Sequence, residues 1–455
     1  MKILFVVPNA EIKVAASQVL PLGLAYLAST LIEEGHDVKI LDKRIEKNGK
    51  IKDNFDLVGI TATTPLITKA WEISKEAKEF NPNCQVVLGG PHPTVLPEES
   101  LQQDSVDIIV RGEGEDTIKE VCKNIEKNKT LKDVKGISYK ENGKIIHNPD
   151  RSFIEDLDKI SFPKRELFNL KKYQPIQPLL TTRKSLNIIT SRGCPYNCNF
   201  CYKGIFGCKY RMRSVSNLIE EWRLLVENFK VEEIGIQDDL FNFDKKRVIE
   251  FCRELIKEGL DVPWCTPNGI RVNYVDREVL SVMKRAGCYR IAYGIENGNQ
   301  DMLNMMGKGI TLQQVRDATR IAKTVGLKIA GSFILGNAGE NVSTMMQTIN
   351  FACSLPIDYA LFNIATPYPG TRLFELVKTN GKILVKSWEE YSAIEGKCYF
   401  EYGNLKKDIV ENMFRYAYRR FYLRSNNITK NIIDFKNWSN IKNLAQGLKH
   451  FIKFS

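Results

Sequence analysis

The sequence predicts a three-part α/β chain: a doubly wound parallel sheet of the flavodoxin type, six βα units making three quarters of a barrel, and a small helical C-terminal domain. Three observations predict it. Residues 1–125 alternate short apolar runs with helical spacing of apolar residues. A second alternation of the same kind runs from about 185 to 375, and the polar, turn-prone stretch between the two lacks it.

In the first part, residues 1–130, strands are expected at 2–7, 37–41, 56–61, 85–89 and 107–110, with helices at 22–34 and 68–80. Ligands of such sheets bind beyond the carboxyl ends of the strands, so the loops there are candidate sites. They read Thr61-Ala62-Thr63-Thr64-Pro65, Gly89-Gly90-Pro91-His92-Pro93-Thr94 and Arg111-Gly112-Glu113-Gly114-Glu115. Small residues at Thr63, Thr64, Gly89, Gly90 and Gly112 let the backbone approach a large flat ligand, and Glu113 stands beside them. Residues 131–180 read as a connector with a hairpin signal at Glu141-Asn142-Gly143-Lys144. In the second part, residues 181–375, strands are expected at 186–191, 232–237, 262–268, 290–295, 328–335 and 359–365, with helices such as 214–228, 244–258 and 311–325 between them. Six units leave one side of the barrel open for a partner domain. Residues 376–455 read as helical.

The 455 residues are 43% hydrophobic and 26% charged, as in a globular protein with more than one core. The opening MKILFVVPN carries too short an apolar run for a secretory signal, and no run reaches the ~18 residues of a membrane span. Cys84, Cys122, Cys252, Cys265, Cys288, Cys353 and Cys398 lie mostly among apolar neighbours and read as small core fillers, which places the chain in a reducing cytoplasm. The net charge of +12 is uneven: residues 403–455 hold eleven Lys or Arg against three Asp or Glu, a net of +8.

The chemistry concentrates in CPYNCNFC, at Cys194, Cys198 and Cys201. Three thiolates spaced four and three residues apart can grip three irons of a cubane cluster, leaving the fourth open to a substrate or cosubstrate. The competing reading is a zinc knot with Cys208 as fourth ligand. The setting favours the cluster. The apolar run 186–190 ends in Ser191-Arg192-Gly193, a buried strand delivering a loop at its carboxyl end, where α/β folds place their sites.

With that loop ahead of a βα series, the chain resembles the radical S-adenosylmethionine superfamily. PLGLAYL (21–27), GHDV (35–38), LGGPHPT (88–94) and RGEGE (111–115) are similar to the B12-binding N-terminal domain of one branch. IQDDLF (236–241), YGIENGNQ (293–300), GSFILG (331–336) and TPYPGT (366–371) extend the resemblance over about residues 1–375, and AYRRFYLR (417–424) resembles the same branch's C-terminal segment. That branch comprises C-methylases and the anaerobic magnesium-porphyrin ring cyclase.

The resemblance implies a 4Fe–4S cluster on Cys194, Cys198 and Cys201, S-adenosylmethionine chelated at the open iron, and cobalamin on the first domain. It implies reductive cleavage to a 5′-deoxyadenosyl radical and methyl transfer to an unactivated carbon. Two alternatives are radical cyclisation without methyl transfer and, outside catalysis, a cobalamin or metal sensor. Phe200 would pack near the adenine or simply fill core. Gln237, Asp238 and Asp239 would accept from the cosubstrate ammonium, with one of the adjacent acids facing the site. Arg271 would meet its carboxylate and Glu296 its ribose or ammonium, unless either forms a structural ion pair. Gly336 and the Pro367–Gly370 turn would border the adenine.

Two departures stand out. The loop Pro8-Asn9-Ala10-Glu11-Ile12 has no histidine to ligate cobalt, and Asn337-Ala338 stands where the family usually has Leu-Pro. His92 reads as a structural, hydrogen-bonded histidine. The expected partners are a small-molecule or lipid-like substrate and an electron donor such as flavodoxin or ferredoxin. Nucleic acid is disfavoured, because no aromatic-rich RNA module is evident. Residues 441–455 place Ile441, Leu444, Ala445, Leu448, Phe451 and Ile452 on one helical face, which either docks on the protein or makes peripheral contact with a membrane.

Overall fold

The computed structural model describes residues 1–9, 19–173, 184–391 and 396–424. Its first unit contains β1 (Lys2–Val7), α1 (Leu22–Glu33), β2 (Asp37–Asp42), β3 (Leu57–Thr61), α2 (Ile67–Phe80), β4 (Gln85–Gly89), α3 (Pro91–Val95), α4 (Pro97–Leu101), β5 (Ile108–Val110), α5 (Glu115–Glu126), β6 (Ile137–Glu141) and β7 (Lys144–His147). The strands lie in the order β2-β1-β3-β4-β5-β6-β7, parallel through β5. The last two are antiparallel, so the hairpin expected in the connector extends the first sheet. Ile3, Phe5 and Val7 pack under α1 and α5 while Leu4 and Val6 pack under α2, the period-two alternation of a sheet buried on both faces.

The second unit begins with β8 (Ser185–Ile188) and a small antiparallel pair, β9 (Ser191–Arg192) and β10 (Arg211–Met212). It continues through α6 (Val215–Glu227), β11 (Glu233–Ile236), α7 (Lys245–Lys257), β12 (Trp264–Ile270), α8 (Arg277–Arg285), β13 (Cys288–Glu296), α9 (Gln300–Met305), α10 (Leu312–Thr324), β14 (Lys328–Leu335), α11 (Val342–Ser354), β15 (Tyr359–Ile364) and α12 (Arg372–Asn380). Six strands pair in parallel in the order β8-β11-β12-β13-β14-β15, an open barrel. Its helices start where a side chain accepts an orphan N–H: Ser214, Asp244, Asp276, Thr311, Asn341 and Thr371 are all N-caps.

The two open edges are closed differently. At β8, Arg165 Nη2 donates to the Asn187 carbonyl at 2.7 Å and Asn187 Nδ2 donates to the Leu20 carbonyl at 3.2 Å. Leu20, Leu22, Ala25 and Tyr26 of the first unit also share the apolar cluster of the barrel. Beyond a two-stranded ribbon, β16 (Gly381–Ile383) with β17 (Phe400–Tyr402), α13 (Lys407–Tyr422) covers β15. There the Tyr418 hydroxyl bonds the Phe362 N–H at 3.2 Å and carbonyl at 3.1 Å, and the Tyr422 hydroxyl bonds those of Ala360 at 3.3 and 3.0 Å. The expected amphipathic helix at 441–455 lies outside the described residues. Among the described residues no helix is long and apolar enough to cross a membrane. The cysteines read as fillers are buried, apart from half-buried Cys353.

A buried ion cluster joins the units. Arg192 donates to Glu113 at 3.0 Å and to Glu115 at 2.5 Å, and Arg211 Nη1 donates to both Glu113 oxygens at 2.9 Å. All four side chains are at most 9% exposed. Burial alone would raise the Glu115 carboxyl, but Arg192 beside it holds it below the usual carboxylate range. A depressed folded value means this pairing stabilises the protein above about pH 4.5 and is lost as the pH falls below it. Unfolding followed against pH should therefore lose stability faster below about pH 4.5 in the wild type than in Glu115→Gln. Glu113→Ala, which leaves Arg211 buried with no carboxylate and Arg192 with Glu115 alone, should lower the unfolding free energy in urea by about 3 kcal/mol.

Candidate active site

The three cysteines occupy the loop between β9 and β10. Gly193 turns the chain into it at φ +85, where a Cβ would sit 2.3 Å from the Lys209 carbonyl, so only glycine fits. The Cys194 N–H donates to the Gly207 carbonyl at 3.3 Å, and the Cys201 N–H to the Cys198 carbonyl at 3.2 Å. The Cys198 thiol, 3.8 Å from the Gly307 carbonyl, is brought down by a hydrogen bond from Cys201, with Lys308 and Arg271 adding positive charge. Cys201 moves up for the same reason, and burial raises Cys194. An all-sulfur set on one loop, with a cation beside the middle thiol, fits an iron–sulfur cluster held by thiolates. Cys208, seven residues past Cys201, is exposed, as Cys201 is.

The barrel residues expected around this loop divide into two sets. Asp238 is buried and accepts from the Thr190 N–H at 2.6 Å, the Thr190 hydroxyl, and the Ser191 hydroxyl at 2.6 Å, so it anchors β8 and does not face the site. Its neighbour Asp239 is exposed and lies near the Gly193 N–H at the mouth of the cysteine loop. Half-buried Gln237 receives Asn268 Nδ2 on its carbonyl at 2.9 Å. Arg271 is 6% exposed, and its guanidinium carbon lies 3.3 Å from the centre of the Tyr196 ring. It donates to Asn273 at 3.1 Å and to the carbonyls of Lys308 and Gly309. Its charge thus braces the loop from below. Gly336, at φ +76, faces Val410 of α13, where a Cβ would come within 2.5 Å, so packing against the C-terminal helix accounts for it. Phe200 is half-buried against the barrel core. Gly370 of the Pro367–Gly370 turn abuts the Tyr202 ring and Val95.

Glu296 is paired with a residue that sequence reasoning missed. Lys308 Nζ donates to its Oε1 at 2.7 Å, with side chains 10% and 9% exposed. Burial would lower Lys308, but Glu296 and Cys198 raise it. Glu296 has φ 68, a conformation that costs a non-glycine residue about 1–3 kcal/mol, and a register shift interrupts β13 at Gly294 and Glu296. A Cβ on Gly294 would lie 2.7 Å from Glu296 and 2.9 Å from Lys308, so this glycine makes room for the pair. Lys308 stands in the unremarkable stretch Met306-Gly307-Lys308-Gly309; only its burial beside an acid marks it.

On the first unit, exposed Thr63 and half-buried Gly89, Gly90 and Gly112 stand at the carboxyl ends of β3, β4 and β5, with little side-chain bulk of their own. That suits a broad flat cofactor. A Cβ on Gly112 would lie 3.6 Å from the Gly204 carbonyl, so this surface meets the cysteine loop. Glu113 turns into the ion cluster instead of lining the surface. Thr64 is buried, its hydroxyl 3.4 Å from His92 Nδ1. His92 is 0% exposed, packs against Trp388 at 5.5 Å and is lowered to about 4 by burial, so no imidazole is presented from this loop.

Residues 10–122 match the B12 binding domain, and residues 188–352 match the Radical SAM superfamily. An uncharacterized methyltransferase of Pyrococcus horikoshii is 40% identical, covering 98% of this chain and 98% of that protein. The anaerobic magnesium-protoporphyrin IX monomethyl ester cyclase of Rubrivivax gelatinosus is 31% identical, covering 93% of this chain and 78% of that protein. The fold is similar to that of TsrM from Kitasatospora setae, a radical S-adenosylmethionine methyltransferase solved with cobalamin and an iron–sulfur cluster. The TM-score is 0.69 at 16% identity, over 83% of this chain and 78% of that chain.

Lys308→Met leaves Glu296 buried without its cation. It should lower the stability of the metal-free protein by about 3 kcal/mol, read from denaturant unfolding.

Proposed function

This chain belongs to the radical S-adenosylmethionine superfamily, in the branch with an N-terminal B12-binding domain, and we propose that it is a cobalamin-dependent methyltransferase acting on an unactivated carbon of a small molecule. One observation carries this reading: the glycine surface of the first unit and the cysteine loop of the barrel abut at Gly112 and Gly204. Two cofactor platforms thereby face one another across a single junction. When bound, the cluster supplies the electron that opens the sulfonium C–S bond, and cobalamin supplies the methyl group that is transferred.

The protein's own residues hold and orient these groups. Cys194, Cys198 and Cys201 are the cluster ligands. Glu296 and Lys308 set one anionic and one cationic group side by side, matched to the ammonium and carboxylate of the methionine end of the cosubstrate. Asp239 offers a second acceptor at the mouth of the loop. Gly89, Gly90 and Gly112, with Thr63, form the bed for the corrin. Tyr26, Trp222 and the shared apolar cluster keep water from the base of the barrel. A flavodoxin- or ferredoxin-like protein delivers the electron. Ring closure without methyl transfer is the second reading, favoured by the 31% identity to the porphyrin cyclase; the 40% identity to a methyltransferase weighs against it.

Anaerobic reconstitution followed by turnover with methyl-labelled S-adenosylmethionine tests the reading. Expected are cobalamin retention, 5′-deoxyadenosine, S-adenosylhomocysteine and label in the product. Deoxyadenosine without S-adenosylhomocysteine would favour cyclisation, and failure of the loaded, reduced protein to cleave the cosubstrate would indicate a sensor. Cys198→Ser should abolish iron and sulfide uptake, whereas Cys208→Ser should leave both unchanged; loss in the second variant would restore the zinc reading.

A further inference from the structure

The departure at Asn337-Ala338 has its counterpart inside the cysteine motif. Asn199 Nδ2 donates to Asn337 Oδ1 at 3.2 Å, and Asn337 Nδ2 returns the bond to Asn199 Oδ1 at 3.3 Å. Asn199 is 2% exposed and Asn337 0%, so each carboxamide would be left desolvated and unpaired without the other. The main chain of Asn199 is held too. Its N–H donates to the Met306 carbonyl at 2.8 Å, and its carbonyl accepts from the Leu373 N–H at 2.8 Å. Asn337 is fixed in turn: its N–H donates to Glu340 at 3.0 Å, and Glu340 accepts from Asn297 Nδ2 at 2.8 Å.

One residue between two cysteines is thereby registered against the segments that follow β13, β14 and β15. A leucine at 337 would offer neither donor nor acceptor, so the amide at 199 and the amide at 337 belong together. We propose that the Asn199–Asn337 pair is a positioning lock that sets the Cys198–Cys201 turn in its ligating conformation before any cluster is bound. The inference rests on the proposed function only in taking those cysteines as cluster ligands. Both asparagines act through the turn and touch no reacting atom.

Hydrogen exchange of the metal-free protein reads the lock directly. In Asn337→Leu and in the isosteric Asn337→Asp, amides of residues 194–206 should exchange at least about tenfold faster than in the wild type, with β11 unchanged. After reconstitution these variants should hold wild-type iron and sulfide. They should lose the change that S-adenosylmethionine induces in the electron paramagnetic resonance of the reduced cluster, and form deoxyadenosine at least about tenfold more slowly. The double variant Asn199→Leu with Asn337→Leu, which removes both amides, should recover much of the protection. Unchanged exchange in both single variants at 337 overturns the proposal whatever the activity. A wild type that takes up no cluster, with variants that still lose protection, would refute the proposed function and leave the lock standing.

Discussion

The ion cluster of Glu113, Glu115, Arg192 and Arg211 is the constraint on which the molecule turns. Arg192 lies two residues before the first cysteine, and Arg211 lies just past the end of the same loop. Both guanidinium groups are committed to carboxylates of the other unit. The loop that carries the cysteines is therefore pinned at both ends to the domain that carries the glycine surface. Desolvating four charges gains little net stability over an apolar contact of similar size. Its value lies in register, because a guanidinium fork meets a carboxylate in few geometries. Nonpolar packing from Leu20 to Tyr26 supplies the adhesion, and the charges choose its alignment.

Around the cysteines the same division recurs between groups that brace and groups that remain available. Arg271 and Asp238 are spent on carbonyls, hydroxyls and a tyrosine ring. Glu296 and Lys308 are spent only on each other, at a strained backbone position beside a strand irregularity. Irregular, locally costly backbone persists where the surroundings over-determine it. Gly294 supplies the space, and the barrel strands on either side supply the rigidity.

The strands were legible because burial on both faces writes near-continuous apolar runs, as from Ile3 to Val7. The cysteine loop was legible because its chemistry lies in local spacing. The helices of the barrel were expected from about 214, 244 and 311, and there the structure places Ser214, Asp244 and Thr311 as their caps. What remained hidden depended on contacts between distant segments. Glu113 sat in a promising loop, yet its partners Arg192 and Arg211 lie far along the chain. Arg271 followed the third barrel strand as expected, but the carbonyls that consume it come from the stretch around Lys308. Asn337 registered only as an oddity, since its meaning lies in Asn199. Lys308 left no trace, because a lysine in a short glycine-flanked segment ordinarily points to water.

The two tyrosine hydroxyls along β15 carry a consequence of another kind. A terminal strand of an open barrel is a row of amides and carbonyls ready to recruit a stranger. Here phenols stand in for the missing seventh strand, supplied by the last described helix. Shortening the protein ahead of Tyr418 would thus do more than trim a tail: it would bare a sticky border and invite one copy to zip onto the next. Helix α13 thus shields that border, and its deletion would betray itself first as precipitation.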